Sequence, residues 1–259
     1  MINQTLERLR AMRLPAMADA CQYQAGQPDI TALSFEERFG LIVEHEWTDR
    51  QNRHLRRLLR DAHLRLPACM EDLDYHPSRG LDRSFMLSLA TCEWLQSHLN
   101  VIITGLTGCG KTYAACALGN AACRQGYSVR YYRISQLLSD LAIARADGTH
   151  AKLFGSICKT KLLILDDWGL VPCTQAESRE ILDLVEDRYN LSSCVIVSQV
   201  PVDHWHKLLA DPTMADAILD RLVHNSYKIA LRGDSMRRQK TPLTPDAGAK
   251  STTQKGDCQ

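Results

Sequence analysis

The hydrophobic pattern divides the chain into two unlike parts. Beyond residue 97, short apolar runs rich in β-branched residues alternate with longer segments of helical period. Residues 100–104, 128–134, 162–166, 194–198 and 227–231 have the length and composition of buried strands. Residues 113–124, 136–145 and 177–191 read as the intervening helices. Such alternation predicts an α/β fold, a parallel sheet sandwiched by helices. Before residue 70 only the helical period is found. Leu6, Leu9, Met12 and Leu14 mark a first helix ended by Pro15, Gly26-Gln27-Pro28 marks a turn, and Ser34-Phe35-Glu36-Glu37 can open a longer helix. In that helix Leu55, Leu58, Leu59, Ala62 and Leu66 follow the spacing of a buried stripe. The expected organisation is a small all-helical N-terminal domain (1–70), a linker and lead-in (71–96) carrying Pro77 and Gly80, a nucleotide core (97–239) and a disordered tail (240–259).

Chemistry enters at the first strand–helix junction. Gly105-Leu106-Thr107-Gly108-Cys109-Gly110-Lys111-Thr112, followed by Tyr113, completes the phosphate-loop pattern. Its glycines let backbone N–H groups wrap the α- and β-phosphates, Lys111 reaches the β- and γ-phosphates, and the Thr112 hydroxyl ligates Mg2+. Leu162-Leu163-Ile164-Leu165-Asp166-Asp167 is an apolar run ending in two carboxylates, the form of a Walker B strand. Asp166 is placed to hold Mg2+, and Asp167 to polarise an attacking water. The second acid suits hydrolysis of ATP, since a kinase delivers a different hydroxyl. A strand lying in sequence between the phosphate loop and Walker B is typical of hydrolysing P-loop machines.

Composition changes this picture at few points. A chain of 259 residues, 45% hydrophobic, holds one α/β core and a small accessory domain. No apolar run reaches the length of a membrane span, and Met1-Ile2-Asn3-Gln4 lacks a signal pattern, so a cytoplasmic location is expected. Ten cysteines occur without a C-x-x-C pair, and the seven-residue spacing of Cys109, Cys116 and Cys123 reads as one buried helix face of reduced thiols. A net charge of +1 hides an uneven distribution. Arg50, Arg53, Arg56, Arg57, Arg60 and Arg65 fall in one stretch against the single acid Asp61. Arg53, Arg56, Arg57 and Arg60, with Arg50 beside them, lie opposite the leucine stripe, a face that can neutralise duplex DNA phosphates without reading bases. A solvated face, or one paired with acids of a neighbouring helix, is the alternative.

An ordered set of motifs now resembles a known family. The phosphate loop, Leu165-Asp166-Asp167-Trp168-Gly169, Val197-Ser198-Gln199 followed by Pro201, Asp220-Arg221-Leu222, and Gly233-Asp234-Ser235-Met236-Arg237 recur in the order seen in the IstB family. These are AAA+ helper ATPases encoded beside a transposase, IstA, in insertion sequences, and are related to the helicase loader DnaC. The resemblance implies that Ser198 or Gln199 senses the γ-phosphate, that Arg221 is an arginine finger supplied to a neighbouring subunit, and that Arg237 is a second sensor. It also implies a homo-oligomer with ATP sites at subunit interfaces, acting with Mg2+ and ATP on duplex DNA and a transposase. A helicase loader is the competing reading; its N-terminal domain should present an apolar helical face.

Overall fold

The computed structural model describes residues 2–233, so Arg237 and the tail 240–259 lie outside the described residues. Helix α1 (Ile2–Ala11) is followed by α2 (Pro15–Ala25), with Pro15 at the first helical turn, where its missing N–H leaves no hydrogen bond unmade. Helix α1 packs on α2, and α2 packs on α3 (Phe35–Ala62), a helix of 28 residues. A reciprocal cap starts α3: Ser34 Oγ accepts from Glu37 N, and the Glu37 carboxylate accepts from Ser34 N. Two short helices, α4 (Arg83–Ala90) and α5 (Glu93–Gln96), lead into β1 (Asn100–Gly105). The chain then runs α6 (Lys111–Arg124), β2 (Val129–Arg133), α7 (Ile134–Ala146), α8 (His150–Cys158), β3 (Leu162–Trp168), α9 (Gln175–Arg188), β4 (Ser193–Ser198), α10 (Pro212–Val223) and β5 (Ser226–Leu231).

All five strands are parallel, in the order β2-β3-β4-β1-β5. Successive strand residues face opposite sides. Val101, Ile103, Leu162, Ile164, Val195 and Val197 meet α6 and α4, whereas Ile102, Leu163, Leu165 and Ile196 meet α7, α9 and α10. Covering on both faces explains why the strands read as continuous apolar runs. The expected fold class is the one observed. Helices α8 and α10 were not expected from the pattern. Asp211 caps α10 by accepting from Met214 N, and Pro212 stands at its start, the local signal that begins this helix ahead of the motif at 220–222.

The join between the helical part and the core is tight. Ala62 and Ala68 are buried in the α6-side core, and Leu55, Leu58, Leu59 and Leu64 pack against it. Residues 71–96, read as linker and lead-in, add Leu73, Leu81, Met86, Leu89, Trp94 and Leu95 to that same cluster. The first half of α3 differs: Phe35, Phe39, Val43 and Trp47 are exposed there. Cys109, Cys116 and Cys123 are free and buried, and burial pushes the Cys116 thiol up and the Cys123 thiol up to about 12.

Candidate nucleotide site

The C-terminal ends of β1, β3 and β4 open onto a cleft of about 840 Å³, where an open parallel sheet places its ligand. The phosphate loop joins β1 to α6 and forms its floor. Gly110 sits at φ 92°, and a Cβ there would stand 2.6 Å from an Arg79 guanidinium nitrogen. Only glycine satisfies both conditions. Lys111 is buried, and its ammonium donates to the carbonyls of Gly105 (2.8 Å) and Leu106 (2.7 Å). Thr107, Gly108, Gly110, Lys111, Thr112 and Tyr113 all line the cleft.

Opposite the loop, the β3–β4 register breaks between Leu165 and Trp168. That irregularity re-aims the two carboxylates. Asp166 is buried; its Oδ2 accepts from the Thr112 hydroxyl (2.9 Å) and the Tyr131 hydroxyl (2.6 Å), and its Oδ1 from Asp167 N (2.8 Å). Asp167 adopts φ 61°, a left-handed conformation costly for a residue with a side chain, and it borders the cleft. Burial, and then the neighbouring Asp166 charge, push the Asp167 carboxyl above its ordinary range. At the end of β4, the buried Ser198 hydroxyl donates to the Trp168 carbonyl at 2.7 Å, which ties β4 to β3. Gln199 instead reaches across the cleft, its Oε1 accepting from the Thr107 hydroxyl.

Three residues at the site had no motif to announce them: two line the cleft and one stands behind Asp166. Arg65 stands 3.8 Å from Asp166 Oδ2 and 3.9 Å from Asp167 Oδ2. Tyr131, on β2, supplies the hydroxyl to Asp166. Arg79 donates to the carbonyls of Cys109 (2.8 Å) and Asp74 (3.0 Å), bracing the phosphate loop from outside. Their contacts are set by the tertiary fold. A single arginine beside Leu66-Pro67, out of register with the α3 stripe, was the one available signal for Arg65.

The remaining expected residues lie elsewhere. Arg221, on α10, is not among the residues lining the cleft; its guanidinium pairs with Glu186 at 2.9 Å and lies over the Tyr189 ring. On α3, Arg53, Arg56, Arg57 and Arg60 are exposed on one face, opposite the leucines that meet the core. Arg53 pairs with Asp49 (2.7 Å) and Glu46 (3.4 Å), Arg57 donates to His54, and Arg60 pairs with Asp61. Arg50 is tied down more firmly, donating to Glu46 at 2.8 Å and to the Arg13 carbonyl at 3.2 Å. Burial opposes ionisation of Glu46, but Arg50 and the Met17 N–H outweigh it and hold the carboxyl below the usual range.

This geometry suits a nucleoside triphosphate with Mg2+. The cleft volume falls within the roughly 300–1,000 Å³ of small-molecule sites. Thr112 and Asp166 present adjacent hard oxygens, and Mg2+ needs only one or two carboxylates beside phosphate. Lys111 and the loop backbone would hold the phosphates, Thr112 and Asp166 the metal. Bound there, Mg–ATP supplies the transferable γ-phosphoryl and a counter-charge to its oxygens. Among the described residues no helix is long and apolar enough to cross a membrane.

Comparison with known proteins gives one consistent answer. The profile of the family described as IstB-like ATP binding protein matches residues 7–243. A Sinorhizobium fredii protein named as an insertion sequence ATP-binding protein, y4pL, is 45% identical over 234 residues, covering 90% of this chain and 96% of its own. A Pseudomonas fluorescens protein named for insertion sequence IS1162 is 41% identical over 202 residues, covering 78% and 87%. Among solved structures, the DnaC helicase loader superposes with TM-score 0.55 at 16% identity, covering 64% of this chain and 97% of its own. AMPPCP-bound DnaA from Aquifex aeolicus superposes with TM-score 0.56 at 18% identity, covering 66% of this chain and 52% of its own. These two share the AAA+ P-loop fold. With the phosphate loop, both Walker B carboxylates and the motifs after them in place, the chain belongs to the IstB-like ATP-binding protein family of insertion sequences.

Proposed function

We propose that this protein hydrolyses ATP as a homo-oligomer on duplex DNA in the cytoplasm and assists the transposase of its element, of IstA type, in target-site selection. The observation that carries the reading is the division of catalytic groups between the cleft and a remote surface. Asp167 enters the cleft beside Thr112 and Lys111, where it can take a proton from an attacking water. Gln199 spans the loop and is the better sensor of the γ-phosphate, because the Ser198 hydroxyl is occupied by backbone. Arg221 has no part in its own cleft, as a finger offered to a neighbour requires; it exchanges Glu186 for the transferred phosphoryl. The relatives' names supply the insertion-sequence setting, and the exposed α3 arginines supply the DNA contact through phosphates.

A second reading, a helicase loader, is favoured by one feature. Phe35, Phe39, Val43 and Trp47 leave apolar surface on the first half of α3, the kind of face a protein partner would cover. The arginine face on the second half of the same helix favours DNA.

Complementation tests the assembly. Arg221→Ala and Asp167→Asn should each lower phosphate release by orders of magnitude, and their mixture should restore part of it, because each mutant provides what the other lacks at a mixed interface. A finger of this kind contributes about 10³–10⁵-fold in other systems, so partial restoration is measurable. If no mixing ratio restores turnover although mixed assemblies form, Arg221 does not act in trans.

A further inference from the structure

The helix that carries the exposed arginines also ends against the catalytic carboxylates. After Ala62, His63 takes the left-handed conformation (φ 50°) and turns the chain. Leu64 then lies on Gly119 of α6, so close that a Cβ there would meet Leu64 Cδ2 at 2.9 Å. The N–H groups of Arg65 and Leu66 meet the Cys116 sulfur, also on α6. Held in this way, Arg65 projects into the cleft and faces Asp166 and Asp167. Asp166 Oδ2 is therefore a shared point for Thr112, Tyr131 and Arg65. Separations of 3.8 and 3.9 Å, with the arginine side chain 42% exposed, describe an ion pair without a close hydrogen bond. The arginine side of the pair is open to solvent and makes no close hydrogen bond to the carboxylates, so it is free to take a better anion.

We propose that Arg65 is a positioning residue that couples the nucleotide cleft to α3. A cation between Thr112 and Asp166 neutralises the charge that draws Arg65 to the carboxylates. Phosphate oxygens in the same cleft are a stronger partner for a guanidinium, with charge-assisted paired hydrogen bonds. Arg65 changes partner when the cleft fills. The wedge of Leu64 on Gly119 and the backbone contact at Cys116 carry that change from Arg65 to the end of α3, two residues beyond Arg60. A rigid helix then shifts its arginine face. That this shift matters for DNA rests on the function proposed above; the shift itself does not.

Hydrogen exchange on the full chain, with and without Mg2+ and a slowly hydrolysed ATP analogue, reads the coupling directly. Wild-type peptides from α3 should change protection on nucleotide addition. With the analogue raised until it fills the cleft of each variant, that change should vanish in Arg65→Gln, and Arg65→Lys should restore part of it. A second arm measures duplex affinity with and without the analogue. The ratio should be about 5-fold or more in the wild type, the lower range of coupling between sites, and close to unity in Arg65→Gln. An unchanged α3 response in Arg65→Gln, no response in the wild type, or loss of nucleotide binding by both Arg65 variants would each overturn the proposal. Wild-type DNA affinity in a variant with Arg53, Arg56, Arg57 and Arg60 all changed to Gln would remove the DNA reading alone, leaving the exchange arm to decide Arg65.

Discussion

In the cleft, Arg79 is nearly buried, and its guanidinium is engaged by the Cys109 and Asp74 carbonyls and the Asp74 carboxylate. On α3, Arg53, Arg56, Arg57 and Arg60 stand in solvent, and the partners of Arg53, Arg57 and Arg60 lie on the same helix. Removing a buried donor strands its acceptors, at about 1–3 kcal/mol. Exposed pairs are worth about 0–1 kcal/mol and give way to a better anion. One residue type thus braces a phosphate loop in one region and is left available for exchange in the other. Burial and partner geometry decide the role.

The largest effect should come from the cleft. Lys111→Ala removes the buried ammonium that would hold the β- and γ-phosphates, and titration calorimetry should find ATP binding abolished; retained affinity would mean the loop backbone suffices alone. Next, Asp167→Asn should keep nucleotide binding and lower phosphate release by about 10²–10⁴-fold, the usual contribution of a positioned base. Unchanged turnover would place the base elsewhere. Smaller still is the contrast in stability. Arg79→Met should lower the unfolding free energy by about 1–3 kcal/mol in urea and weaken ATP binding, because the phosphate loop loses its outer brace. The fourfold α3 change to Gln should leave the ATP affinity unaltered and cost far less stability per residue. Equal losses per residue in the two variants would erase the distinction between the two arginine classes.

Much of the core was legible in the sequence because each signal was local. The five strands are continuous apolar runs, the loop glycines have fixed spacing, and Asp166-Asp167 end a strand. What escaped was made by contacts between distant segments. Arg65 and Arg79 enter the cleft from outside its motifs, and Tyr131 is an ordinary strand tyrosine until β2 pairs with β3 and brings its hydroxyl to Asp166. Pro77 and Gly80 mark 71–96 as a linker and lead-in, but they do not tell that Leu73, Met86 and Trp94 bury their side chains in the core. Helical periodicity placed the arginines and the leucines of α3 on opposite faces, but not which acids pair with the arginines, since Glu46 and Asp49 are chosen by a helix geometry that many sequences share.

If the exposed face of α3 holds DNA by its phosphates, the salt dependence of binding reveals it most directly. Fluorescence anisotropy with a labelled duplex over a salt series gives a log–log slope of about −0.9 for each phosphate neutralised. The wild type should bind with a steep slope and little base preference. Changing Arg53, Arg56, Arg57 and Arg60 to Gln should flatten that slope by up to about four units while ATP affinity stays constant. A fourfold variant that keeps the wild-type slope would contradict the account and move the DNA contact off α3.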